Sequence, residues 1–109
     1  MEDRTAEKNE KGVVDPLGIF EEIKKELSFL GIKEMSVFGS RARGKSYTLK
    51  WDFDVLINVK RERLRELQTH FNNWSLGKKD ERGRDVKVDI GRSNIDLKDL
   101  SELKNNILY

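Results

Sequence analysis

At 109 residues, the chain has room for one modest hydrophobic core and none for a second domain. Charged residues make up 39% and hydrophobic residues 36%. The 22 Lys+Arg nearly balance the 20 Asp+Glu, so bulk charge gives no case for nonspecific nucleic-acid or membrane binding. Cysteine is absent, which excludes a disulfide framework, a thiolate zinc site and a cysteine nucleophile.

Residues 1–12 carry seven charges and no aromatic residue, the pattern of a flexible charged tail ahead of a single domain over 13–109. The start lacks the apolar core of a secretory signal, and no run of about 18 apolar residues could cross a membrane, so a cytoplasmic protein is expected. Asp15 followed by Pro16, the only proline, is a helix-start signal. Leu17, Phe20, Ile23, Leu27 and Leu30 then recur at helical steps, and Gly31 is placed to end the helix. Residues 35–38 read as a short strand running into Gly39-Ser40, and residues 41–50 as turn and loop. Residues 52–59 alternate, with Phe53, Val55, Ile57 and Val59 on one face and Asp52, Asp54, Leu56 and Asn58 on the other. Leu64, Leu67, Phe71 and Trp74 predict a helix over roughly 62–76, and residues 77–84 a charged loop. Residues 85–90 alternate again, with Val86, Val88 and Ile90 opposite Asp85, Lys87 and Asp89; Gly91 is expected to break that strand. Leu97, Leu100, Leu103 and Ile107 support a final helix capped by Asn94 or Asp96. The expected fold class is α/β (α+β), a small mixed sheet with helices packed on one face.

Asp52 and Asp54 are two apart on an extended chain, so their side chains point the same way, roughly 6.5–7 Å apart at the backbone. If the apolar face is the core, both project outward. Asp89 has the same phase on its own strand, and side-by-side strands would bring three carboxylates together. Three such charges repel unless protonated or held by a cation, and Mg²⁺ suits one or two carboxylates plus substrate phosphates. Just upstream, Gly39 permits close backbone approach to a ligand and Ser40 supplies a hydroxyl. A short helix opening after Ser40 would add free N–H groups, with Arg41 and Arg43 as phosphate partners. Each piece alone has a bland reading: a chance Asp-x-Asp, a turn, an exposed strand residue. Their joint arrangement is the specific signal.

The stretch VFGSRARGKSYTLKWDFDVLINV resembles the signature of the nucleotidyltransferase superfamily related to DNA polymerase beta. It is most similar to the minimal nucleotidyltransferase group, whose pattern is Gly-Ser, about ten residues, then Asp-x-Asp; here residues 41–51 make the spacing eleven and Trp51 precedes the first Asp. The resemblance covers about residues 32–89. It implies the nucleotidyltransferase fold, Gly39 and Ser40 on the triphosphate of ATP or another nucleoside triphosphate, and Asp52 and Asp54 on two Mg²⁺ ions. It also implies Asp89 as the third carboxylate, with Arg41 and Arg43 matching the family's Arg-Ala-Arg-Gly run. It further implies transfer of a nucleoside monophosphate to an acceptor hydroxyl and pairing with a HEPN-type protein, often as a toxin–antitoxin module. The chain ends 20 residues after Asp89, without room for the added helical domain of larger relatives, so either base selection is loose or a partner is expected to complete the site. The competing reading is a binding module that neutralises a HEPN ribonuclease by complex formation.

RNA binding is not favoured, because acids are interleaved among Arg61, Arg63 and Arg65 and among Lys78, Lys79, Arg82 and Arg84. His70, the only histidine, reads as structural or exposed. Phe71 and Trp74 read as core or partner interface. Trp51 could pack under the loop or stack on a nucleobase, and nothing selects Tyr47 as a modification acceptor.

Overall fold

The computed structural model describes residues 13–44, 52–93 and 107–108. Among the described residues, these elements follow in chain order: α1 (Ile19–Phe29), β1 (Ser36–Phe38), α2 (Gly39–Arg43), β2 (Phe53–Ile57), α3 (Arg61–Trp74), β3 (Val88–Arg92) and β4 (Ile107–Leu108). The strands form one mixed sheet in the order β3-β2-β1-β4. β1 runs antiparallel to both β2 and β4, whereas β2 and β3 are parallel, joined by the α3 crossover that parallel pairing demands. The expected α/β class with a small mixed sheet is what the chain adopts.

The core lies on one face of the sheet. Ile19, Phe20, Ile23 and Leu27 of α1 and Leu67 and Phe71 of α3 pack against Val37, Phe53, Val55, Ile57, Val88 and Ile90. Register explains the segregation. Val37 pairs with Val55, and Val55 with Ile90, so one row of the sheet is wholly apolar. The next row holds Phe38, Asp54 and Asp89, on the opposite face. A slip of one residue would turn the carboxylates into the core, so burial of the aliphatic row enforces the placement of the acids.

Four expectations on elements change. Helix α1 starts at Ile19 rather than at Pro16. Residues 15–18 form a turn closed by the Gly18 N–H donating to the Asp15 carbonyl at 3.2 Å, and Asp15 caps from further out: its two carboxylate oxygens accept from the Ile19 and Phe20 N–H groups, each at 2.8 Å. Leu17 therefore falls off the buried stripe and is exposed. The first part of the expected 41–50 loop is the single helical turn α2. Gly91 does not break β3, because the parallel ladder with β2 continues through Leu56↔Gly91 and Ile57↔Arg92. Ile107 belongs to strand β4, paired with Val37, and not to a helix. The tail over 1–12, Tyr47, Trp51 and the caps and leucines expected of the final helix (Asn94, Asp96, Leu97, Leu100, Leu103) lie outside the described residues.

Gly31 does end α1. At φ +88° it is the left-handed residue of a Schellman turn, with Gly31 N–H donating to Ser28 O (3.0 Å) and Ile32 N–H to Leu27 O (2.9 Å). His70 has a partner that its sequence context conceals: its Nε2 is 2.5 Å from Glu26 Oε2, linking α3 to α1. Trp74 packs edge-on to Phe71 at 5.3 Å between ring centroids and lies under Lys78, so it is packing rather than a stacking platform. The basic loop is paired off locally, Lys79 with Asp85 at 2.5 Å and Arg84 with Asp80 at 3.9 Å.

Candidate active site

The three acids meet. Asp54 and Asp89 are directly opposite in the parallel β2–β3 register, and Asp52 precedes Asp54 by two on the same face. One carboxylate oxygen from each of Asp52, Asp54 and Asp89 lies within 4.8 Å of the other two. All three are half-buried. Asp54, in the middle, is pushed up to about 7. Burial is the main cause, followed by the charges of Asp89 and Asp52 and a side-chain hydrogen bond with Asp89, against which Arg43 pulls downward. All-oxygen ligands at this spacing fit a hard divalent cation.

Gly39 closes the site from the β1 side. Its φ of +82° is a left-handed conformation, and a Cβ built there would overlap Asp54 Oδ2 and lie 3.0 Å from Asp54 Cγ. The Asp54 carboxylate thus rests against the bare Cα of Gly39. Ser40 follows, half-buried, at the start of α2, and Arg43 stands exposed at its end, near enough to Asp54 to act on its charge. Gly39 and Arg43 are therefore grouped with the three acids, and Ser40 is the next residue along from Gly39.

Arg41 is not grouped with them. Expected as a phosphate partner, it is fully buried on the core side. Its guanidinium lies 3.8 Å from the Phe53 ring centroid and grips Glu81 with two bonds, Nη1 to Oε2 at 3.0 Å and Nη2 to Oε1 at 3.2 Å. Asp80 stands 3.7 Å away, and Val14 exchanges main-chain contact with the same residue: Arg41 Nη1 donates to Val14 O, and Val14 N–H donates to Arg41 O, both at 2.9 Å. The reason is geometric. On one helical turn, the side chain two positions before Arg43 faces inward, and the acids of the 77–85 loop supply the charge that makes burial of a guanidinium tolerable. Arg41 clamps the Gly39–Ser40 turn to the core. Arg41→Ala should leave Asp80 and Glu81 facing an empty buried site and cost about 3–5 kcal/mol, measured by urea unfolding.

Sequence reasoning missed Asp80 and Glu81 as the acid side of this clamp, since they sit among lysines and arginines and look solvated. Asp80 is buried, its Oδ1 accepting from the Arg82 and Arg84 N–H groups at 2.9 Å each. An acid two and four residues ahead of potential backbone donors in a Gly-containing loop was the available signal.

The family model described as a nucleotidyltransferase domain matches residues 20–109, most of the chain and every residue of the cluster above. The chain belongs to the nucleotidyltransferase domain family. Comparison with curated proteins and with solved structures gave no match. Nucleotidyltransferases move a nucleoside monophosphate from a triphosphate with a divalent metal, so the family and the carboxylate cluster agree on the kind of chemistry.

Proposed function

We propose that this nucleotidyltransferase transfers a nucleoside monophosphate, AMP from ATP in the first instance, to an acceptor hydroxyl in a Mg²⁺-dependent reaction, with a tyrosine of a HEPN-type partner as acceptor. The observation that carries the proposal is the convergence of Asp52, Asp54 and Asp89 beside the Gly39–Ser40 turn. Asp52, Asp54 and Asp89 would hold two Mg²⁺ ions. Bound there, the metal would lower the pKa of the acceptor hydroxyl and neutralise phosphate charge.

The chain's own groups supply the rest. Ser40 hydroxyl and the backbone beside Gly39 bind the triphosphate, and Arg43 adds a charge-assisted contact. The acceptor oxygen attacks the α-phosphorus in line; the new O–P bond forms as the bond to the bridging oxygen breaks and pyrophosphate leaves. The hydroxyl proton passes to a carboxylate, with Asp89 in that role.

Incubation with ATP labelled at the α-phosphate, Mg²⁺ and a HEPN-type protein, should one be encoded beside it, tests the reading. Label should appear on the partner's hydroxyl and disappear with Asp52→Ala. Neutralisation of the partner that survives both Asp52→Ala and Asp54→Ala, with no label transferred, would instead establish the non-catalytic antitoxin.

A further inference from the structure

Among the described residues, β3 is the outer strand of the sheet on its side, and it carries Asp89. An outer strand has a ladder partner on one side only, and its other side presents unpaired N–H and C=O groups. Around Asp89 those groups are taken by a side chain. Gln68 of α3 donates from Nε2 to Val88 O at 2.8 Å and accepts at Oε1 from the Ile90 N–H at 2.9 Å. Val88 and Ile90 flank Asp89. In a parallel ladder, one residue bonds to the carbonyl before and the N–H after its opposite number. The Gln68 carboxamide therefore stands where the peptide groups of a fifth strand would stand, opposite Asp89. Its orientation is fixed as well, because Nε2 also donates to Asn72 Oδ1 at 3.0 Å, one turn further along α3.

We infer that Gln68 is a positioning residue for the third carboxylate: by pairing with Val88 and Ile90 it holds the main chain of Asp89 from the outer side while β2 holds it from the inner side. Two-sided support gives an outer strand the stiffness of a central one at the one residue where site geometry depends on it. The inference rests on the proposed metal role of Asp89. Gln68 touches neither substrate nor metal; it acts through the backbone.

The test uses Mn²⁺ alone as probe, with affinity and electron paramagnetic resonance spectrum recorded on the full chain well below its unfolding temperature. The variants are Gln68→Met, which keeps length and loses both bonds, and Leu64→Ala, which loosens the packing of the same helix and leaves both Gln68 bonds to β3 in place. Support for a ligand through a neighbouring group is worth about 10–100-fold in metal affinity, and Gln68→Met should weaken Mn²⁺ about 10-fold, alter the bound spectrum and speed hydrogen exchange of the Ile90 amide. Leu64→Ala should lower the unfolding temperature with Mn²⁺ affinity and spectrum unchanged. Wild-type affinity and spectrum in Gln68→Met, with only stability reduced, would overturn the positioning role and leave the proposed activity standing. Failure of the wild-type protein to bind Mn²⁺ would overturn both.

Discussion

Asp54→Asn should make the metal-free protein more stable and the enzyme inactive. Asp54 sits between Asp52 and Asp89, and its ionisation in the folded state is held up to about 7 against an ordinary 3.8, by burial first and then by its two neighbours. In the unfolded chain it ionises near the ordinary value. Between those two values the unfolded state binds fewer protons than the folded state, so stability falls as pH rises from about 4 to about 7 and is flat beyond. Asparagine removes that penalty. Solvent screening at this half-exposed position limits the gain to about 1–2 kcal/mol near pH 8, at roughly 4–8 °C per kcal/mol in a domain of this size. The difference between variant and wild type should vanish near pH 4 in thermal melts without divalent ions. With Mg²⁺ the order should reverse above pH 7, because wild type gains a ligand that binds only the folded state and the variant does not. Loss of one stabiliser of developing charge typically costs 10²–10³-fold in rate, and nucleotide transfer by Asp54→Asn should fall by about that much or more. An Asp54→Asn protein no more stable than wild type at pH 8 would show that the three acids do not strain the fold.

The second large effect is at Gly39. A left-handed alanine costs about 1–2 kcal/mol by itself. Gly77 provides the control, since it has the same φ of +82° but nothing within 4 Å of a built Cβ. Gly77→Ala should show that backbone cost and no change in transfer. Gly39→Ala should show a similar loss of stability and, in addition, a site in which Asp54 has rotated off the Gly39 Cα and away from its partners. A displacement of about 1 Å among reacting groups costs on the order of 10²-fold in rate. Transfer and Mn²⁺ affinity measured on both variants separate the contact from the strain.

The acids were legible because a strand's period of two is rigid. Once Phe53, Val55 and Ile57 are assigned inward, Asp52 and Asp54 have only one direction left, and the same holds for Asp89 against Val88 and Ile90. Gly39 was legible as a place of close approach, but the approaching group in the structure is Asp54. Arg41 was misread for a physical reason. Its direction is set by partners far downstream, Asp80 and Glu81 closing on it from the far loop, and no local pattern encodes that. Ile107 shows the limit of helical spacing near a chain end, where pairing with Val37 overrides periodicity. Gln68 lies four residues from Leu64 and one from Leu67, a polar residue on the flank of an apolar stripe. That position marks contact with something polar, here the open rim of a sheet, but only the topology shows which strand lies there.

The paired bonds between Val14 and Arg41 bear on where the working unit starts. The family match begins at residue 20, past both Val14 and the Asp15 cap of α1. A protein trimmed to that boundary would keep every acid of the cluster while losing the strap that ties the serine turn down from outside. The contacts that hold this turn therefore begin ahead of the matched residues.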